Sequence, residues 1–426
     1  MSNIFIPLSL PNGQSVPNRL CKAAMEENMA EAGQVPGAAL VNLYTQWAKG
    51  APGMILTGNV MVDPAAMTGP GGVVLEHGTL DDTDIRARFE TWAKAGKSGG
   101  SKLVMQISHP GRQIYAAQGT EPVSASATKL EMGSGVANKM FARARALKGD
   151  EIRGIIRRFA ETALAAQSAG FDGVQIHAAH GYLLAQFLSP LTNLREDDWG
   201  GPLENRAKLL LEVVRAIRAR VNDDFIVGVK LNSADFQKGG YDVQDASQVV
   251  DWLNAEAVDF VEISGGSYES AAMMGDATDG RLDSTARREI YFLDFAKDIA
   301  KAANMPLMVT GGVTKRATAE MALAEDGVDM VGIARAMAYY PQLPADWKAG
   351  KQLEAHVPRP TMKNKVIASL SGMAMTKANL YRIGDGKRPK PSPRPILSLI
   401  AQQMRNKKQT QRYRAWLRSK GYSLTE

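Results

Sequence analysis

The sequence predicts a (β/α)8 barrel of the TIM type followed by a basic, helical C-terminal extension. Two patterns carry that expectation. Eight short apolar runs recur over about the first 340 residues, and the segments between them repeat their apolar residues at helical spacing. A third observation separates the barrel from an open doubly wound sheet: no G-x-G-x-x-G fingerprint follows the first run.

The runs, in chain order, are RLCKAA, GMILTGNV, KLVMQIS, DGVQIH, FIVGVKL, DFVEIS, PLMVT and VDMVGI. Their unbroken apolar character suits parallel strands buried on both faces. The intervening segments read as amphipathic helices. In DEIRGIIRRFAETALAAQSAG, Ile152, Ile155, Ile156, Phe159, Ala163 and Leu164 share one face. In NRAKLLLEVVRAIRARV, Leu209, Leu210, Val213, Val214, Ile217 and Val221 do the same, with Arg215 and Arg218 facing out. Eight such alternations close into a barrel. The expected division is a barrel over residues 1–345 and an extension over 346–426.

The formal net charge of +7 is a property of the tail. Residues 376–426 hold 13 Lys/Arg and two acids, for +11; the preceding residues hold 38 basic and 42 acidic, for −4. Within the tail, GDGKRPKPSPRP is Pro-rich and expected to be extended. ILSLIAQQMRNKKQTQRYRAWLRSKG reads as a basic helix. A basic helix can contact nucleic acid or an anionic membrane. The expectation here is plainer: a solvated tail that packs its Leu, Ile and Trp on the main domain, with no nucleic-acid or membrane partner. It could cap the barrel or join a neighbouring subunit of a homo-oligomer. No segment approaches the roughly 18 apolar residues of a membrane span, and the N-terminus does not read as a signal peptide. One cysteine, Cys21, excludes an internal disulfide and a four-thiolate cluster. A cytoplasmic location is expected.

A barrel of this kind carries its active site at the C-terminal ends of its strands. The polar residues there are Glu26, Asn59, Gln106, His109, His177, His180, Tyr182, Lys230, the SGG at 264–266, Gly311, Gly312 and Arg335. Two of the five histidines, His177 and His180, stand three residues apart in HAAHGY. Zinc wants three or four protein ligands, and no third candidate stands near them in sequence, so no metal is expected. Lone buried lysines are costly, which makes Lys230 hard to explain as structure. The glycine turn at Gly311 and Gly312, with Arg335 in the next loop, suits a phosphate. His109, in HPGR, is expected to order its loop, and Cys21 to pack as a small apolar residue.

PNRLCKAAM, QISHPGRQ, HAAHGYLLAQFLSPLTNLREDDWGGPLENR, GVKLNSADF and GIAR, in that order along the chain, resemble the motifs of the old yellow enzyme family, the FMN-dependent NAD(P)H:flavin oxidoreductases. The resemblance covers about residues 1–345. It implies FMN held at the barrel mouth, NADH or NADPH as hydride donor, and a small-molecule substrate. It implies that Ala24, Met25, Glu26 and Asn59 line the flavin and that Gln106 bonds its pyrimidine ring. Lys230 matches a cation beside the N1/C2 carbonyl edge. Gly311, Gly312, Ala334 and Arg335 match the phosphate site. His177 and His180 match the pair that binds a substrate oxygen, and Tyr182 matches the proton donor. One position departs: Glu26 stands where relatives carry a short Thr or Cys. The function implied is reduction of an activated C=C bond in α,β-unsaturated carbonyl or nitro compounds. Two alternatives stand beside it: a flavin-containing isomerase using Glu26 as acid/base, and a non-catalytic, flavin-free barrel.

Overall fold

The eight apolar runs form eight parallel strands that close on themselves. They are β1 (Leu20–Lys22), β2 (Met54–Leu56), β3 (Lys102–Ser108), β4 (Gly173–Ala178), β5 (Ile226–Asn232), β6 (Phe260–Ser264), β7 (Leu307–Thr310) and β8 (Met330–Ile333). Each pairs with the next in the chain, and β8 returns to β1 with Val331 opposite Leu20 and Ile333 opposite Lys22. The computed structural model describes residues 3–131, 138–265 and 293–425.

Helices fill the connections. α1 (Ala38–Ala48), α2 (Thr83–Lys97), α3 (Gly149–Ser168), α4 (Leu203–Arg218), α5 (Val243–Leu253), α6 (Leu293–Ala300) and α7 (Arg316–Leu323) follow β1 to β7 in turn. Two short helices, Ala336–Tyr339 and Leu343–Lys348, follow β8. The fold is therefore the (β/α)8 barrel. Local chemistry sets the helix starts: the Asp82 carboxylate accepts from the Asp84 and Ile85 amides, and Asp242 accepts from the Asp245 amide.

The helix faces follow the pattern with two corrections. Ile152, Ile155, Ile156, Phe159 and Ala163 are buried, but Leu164 is 39% exposed, because the turn carries it past the edge of the apolar stripe. Arg218 does not face solvent freely. It pairs with Asp259 at 2.6 Å and donates to the Phe225 and Ala257 carbonyls, which ties α4 to the loops before β5 and β6.

One core lies between the strands and the helix ring, and a second lies inside the barrel. Cys21, Met54, Val104, Phe260, Met308 and Met330 fill the interior, and Leu8, Leu10 and Val16 join them from an N-terminal hairpin. Cys21 packs there as a small apolar residue, 3.8 Å from the Met330 sulfur. The run GMILTGNV breaks after Leu56 and resumes as a short strand at Val60–Met61. At the break the Gln106 amide donates to the Thr57 hydroxyl at 2.9 Å, and a Cβ on Gly58 would lie 2.1 Å from the Glu27 carboxylate. The Gly58 amide instead donates to Glu27 Oε1 at 3.0 Å.

Beyond the barrel, α8 (Lys365–Gly384) and α9 (Pro395–Ser419) pack on one another and on the barrel. Tyr413 and Leu417 are fully buried against Met61, Met67 and Val74, with Trp416 beside them. Tyr413 donates to the Pro64 carbonyl at 2.7 Å, and Lys420 pairs with Glu76 at 2.7 Å. The expected packing holds for this second half of α9. It fails for the first half, where Ile396, Leu397, Ile400 and Met404 are 48–71% exposed. Among the described residues no helix is long and apolar enough to cross a membrane.

Leu417 has no exposed surface. Leu417→Ala should cost about 2–5 kcal/mol of stability and open the α9 end to proteolysis. Urea unfolding and limited proteolysis check this; an unchanged midpoint with an equally resistant α9 would contradict the docking.

Candidate active site

The strand register brings most of the predicted site residues to one rim. In β4 and β5, His177 lies opposite Lys230; in β5 and β6, Lys230 lies opposite Glu262. These side chains therefore share one layer of the barrel. Lys230 and Glu262 form an ion pair at 2.9 Å, with 5% and 0% of their side chains exposed. Glu262 also accepts from Gln175 at 2.7 Å, and Gln175 accepts from Gln106 at 2.6 Å. Gln106 thus ends a four-residue polar chain across the barrel. Neither Gln175 nor Glu262 was singled out from the sequence. The signal was present: each is a polar residue inside a run that otherwise reads as a buried strand.

The histidine pair is assembled by an unusual backbone. His180 has φ of 59°, the left-handed region that a non-glycine residue rarely enters. Two amide side chains hold it there: the His180 N–H donates to Asn232 Oδ1 at 3.0 Å, and its carbonyl accepts from Gln113 at 2.9 Å. The turn aims the His180 ring at His177, with His177 Nε2 and His180 Nδ1 3.2 Å apart. The outer nitrogens meet hydroxyls, Ser108 at 3.4 Å from His177 and Ser264 at 2.7 Å from His180. The Tyr182 ring packs edge-on against His177. Burial drives both imidazoles well below the usual histidine range, with Lys230 adding to the effect on both and His180 adding to that on His177. They are neutral, so each has one N–H to donate and one nitrogen to accept.

Glu26 lies in the same space. Its Oε1 accepts from Asn59 at 2.8 Å and from the Tyr182 hydroxyl at 3.5 Å. Next to it, Glu27 accepts from the Tyr44 hydroxyl at 2.5 Å. Glu26, Glu27, Asn28, Asn59 and Thr68 line a crevice of about 10 Å³, room for about one water. Lys22 turns away from this rim toward the helix layer. It donates to the Leu56 carbonyl at 2.7 Å and sits 4.0 Å above the Trp47 ring. Desolvation lowers it to about 8, with Glu27 working against the shift.

Ala24 and Met25 follow β1 at the rim, half-buried. Gly311 and Gly312 follow β7, beside the β8 residues that lead into Ala334 and Arg335, since Thr310 pairs with Gly332. Gly312 has φ of 62° and is exposed, as is Arg335 at the start of the Ala336–Tyr339 helix. His109 orders its loop: its Nδ1 accepts from the Gly111 amide at 3.0 Å, and burial pushes it down to about 4. Gly266, the last residue of SGG, lies outside the described residues.

The donor set fits FMN. Asn59 Oδ1 and Thr310 Oγ1 are buried without a hydrogen-bond partner among the described residues. Both lie at the rim where the flavin is expected, and a buried orphan acceptor calls for a donor. The glycine turn at 311–312, exposed at Gly312, lies beside an arginine, which suits a phosphate. Among the described residues no group of three or more His, Cys, Asp or Glu could hold a metal ion.

A (β/α)8 barrel with an internal cation and neutral imidazoles at its C-terminal rim is the frame of a barrel enzyme. Comparison with known proteins makes the class specific. The chain belongs to the NADH:flavin oxidoreductase / NADH oxidase family, whose model matches residues 3–354. It is an FMN-dependent NAD(P)H oxidoreductase of the old yellow enzyme type.

The NADH-dependent flavin oxidoreductase iliE of Hypocrea jecorina (strain QM6a) is 39% identical over 351 residues, 80% of this chain and 87% of the relative. The NADH oxidase of Thermoanaerobacter brockii is 31% identical over 339 residues, 79% of this chain but only 49% of the relative. Among solved structures, morphinone reductase in complex with tetrahydroNAD matches with a TM-score of 0.68 at 26% identity, over 83% of this chain and 92% of that one. The old yellow enzyme homologue from Zymomonas mobilis gives 0.69 at 25%, over 83% and 94%.

Two predictions follow from the buried charges. Lys230→Met strands the Glu262 carboxylate and should destabilise the apoprotein by about 3–5 kcal/mol. Lys230→Met with Glu262→Gln should recover most of that loss in urea unfolding; a double variant no better than the single would contradict the pairing. The histidines set an acid limb. Because their folded pKa lies below the unfolded value near 6.5, the unfolded state binds more protons as pH falls. Stability is fully present above about pH 6.5 and falls below it, by about 1.4 kcal/mol per pH unit for each histidine. His177→Asn with His180→Asn should reduce this slope between about pH 6.5 and 4.5 and leave the part that buried His109 contributes; an unchanged slope would overturn the assignment.

Proposed function

We propose that this enzyme reduces activated C=C bonds of α,β-unsaturated carbonyl or nitro compounds. The observation that carries the reading is the neutral His177–His180 pair packed against Tyr182, one register step from the Lys230–Glu262 ion pair. Lys230, Gln106, Asn59 and the turns at 311–312 and 334–335 would hold FMN. When bound, FMN would supply the hydride chemistry, with NADH or NADPH as the donor.

The chain's own groups do the rest. His177 and His180 donate to the substrate oxygen and stabilise the negative charge that develops there. Their neutrality matters: each imidazole brings a donor without adding a second and third buried cation beside Lys230. Tyr182 gives its hydroxyl proton to the α-carbon as general acid. Asn232 and Gln113 hold the strained turn that sets the spacing of the two rings.

A second reading has one observation in its favour. The Tyr182 hydroxyl donates to Glu26, and a tyrosine that hands its proton to a carboxylate can accept one from carbon. A redox-neutral isomerase would use that direction. Turnover in the absence of NADH or NADPH separates the two readings.

Tyr182→Phe should leave reduction of the flavin by NADH near the wild-type rate and slow oxidation by an enone about 10²- to 10⁴-fold. Stopped-flow measurement of the two half-reactions decides; equal enone rates in variant and wild type would remove Tyr182 as the donor. His177→Asn with His180→Asn should weaken binding of a phenol, whose phenolate resembles an enolate oxygen. A phenol charge-transfer band of wild-type affinity in that variant would contradict the oxygen site.

A further inference from the structure

The family match ends at residue 354, before α8 and α9 begin. These helices nevertheless reach the barrel rim. Three of their side chains converge on Asn28, two residues after Glu26. The Tyr381 hydroxyl and Gln409 Nε2 both donate to the Asn28 carbonyl, at 2.5 and 2.6 Å. The Lys377 ammonium donates to Asn28 Oδ1. Asn28 needs the restraint, for its φ is 54°. Arg412 adds a bond to the Ala30 carbonyl.

Lys377 differs from the other two because it brings charge. Glu26 and Glu27 are adjacent carboxylates at the rim, and the hydrogen-bond partners given above for both are neutral: Asn59, Tyr182, Tyr44 and the Gly58 amide. Lys22 also acts electrostatically on Glu27, from the helix side of β1, whereas Lys377 acts on both carboxylates. Lys377 is half-buried, and desolvation lowers its pKa while Glu26 and Glu27 oppose that shift. Tyr381, one turn further along α8, lies under the Arg405 guanidinium, which therefore stacks on the ring.

We propose that Lys377, supplied by the C-terminal extension, is a positioning residue for the active site: its charge balances the Glu26–Glu27 pair, and so sets how strongly Glu26 draws on the Tyr182 hydroxyl. The inference rests on the reading of Tyr182 as proton donor. The physical chain is short. A carboxylate without a nearby cation holds a phenol proton more tightly and makes it a poorer acid. The same uncompensated charge opposes the negative charge that arrives on a neighbouring flavin. On this view the tail is part of the catalytic rim, and its basic composition is put to use at one atom.

The test is a double-mutant cycle on the full-length holoenzyme. Lys377→Gln keeps a donor for Asn28 and removes the charge; Lys377→Arg keeps the charge. Lys377→Gln is expected to shift the flavin midpoint potential negative and to slow enone oxidation of the reduced enzyme about tenfold, the scale of coupling within one hydrogen-bond network. Lys377→Arg should stay near wild type. In a Glu26→Gln background, Lys377→Gln should have little further effect on either readout. The same cycle on apoprotein unfolding should show favourable Lys377–Glu26 coupling without any flavin present. Equal effects of Lys377→Gln in both backgrounds would reduce Lys377 to a structural strut and overturn the proposal, as would no effect in either. Failure of the Tyr182 reading looks different. There Tyr182→Phe oxidises at the wild-type rate, while the potential and unfolding cycles still report whether Lys377 and Glu26 are coupled.

Discussion

The ion pair between Lys230 and Glu262 is the constraint around which the barrel mouth is arranged. A barrel interior is normally a dry stack of branched apolar side chains. Here Cys21, Met54, Phe260 and Met308, none of them branched aliphatic, fill the lower part instead. Above them two opposite charges are buried directly opposite one another on neighbouring strands. Separately each would be expensive, and together they are tolerable only with further hydrogen bonds. Gln175 supplies one to Glu262, and Gln106 extends the chain to β3. The polar layer is therefore a single unit that spans four consecutive strands, and strand register decides its membership.

That layer also settles the chemistry of its neighbours. His177 stands beside Lys230 in the register, so burial and a nearby cation both disfavour protonation. Neutral imidazoles follow. The left-handed residue at His180 is the cost of aiming the second ring into the same space, and it is met locally by Asn232 and Gln113. Strain of this sort persists only where surrounding bonds over-determine the conformation. The site is thus built from one stiff feature, the barrel, and one strained feature pinned to it.

Where the rim is built by the segment after β1 the rules change. The segment 26–30 after β1 is not a strand and has no ladder to hold it. It carries two carboxylates and a left-handed asparagine. Its supports come from far along the chain: Tyr44 on α1, Asn59 after β2, and Lys377, Tyr381, Gln409 and Arg412 on the extension. The apolar stripe at Ile396, Leu397, Ile400 and Met404 is the part of the extension that does not take part in this support.

The sequence by itself determined the architecture. Periodicity is a local property, so eight buried runs alternating with amphipathic helices could be read without knowing any contact, and the strand-end positions of Gln106, His177, Lys230 and Gly312 followed from the fold's own polarity. The tail's charge and its helix were legible for the same reason. Tertiary structure decided what those residues do to one another. Glu262 and Gln175 read as ordinary polar interruptions until register set them beside Lys230 and Gln106. Lys22, four residues from Glu26, turned to Trp47, because successive strand residues face opposite sides of the sheet. Lys377, some 350 residues away, met Asn28 instead. Charges couple through space and not along the chain, so no spacing in the sequence could have announced that pairing.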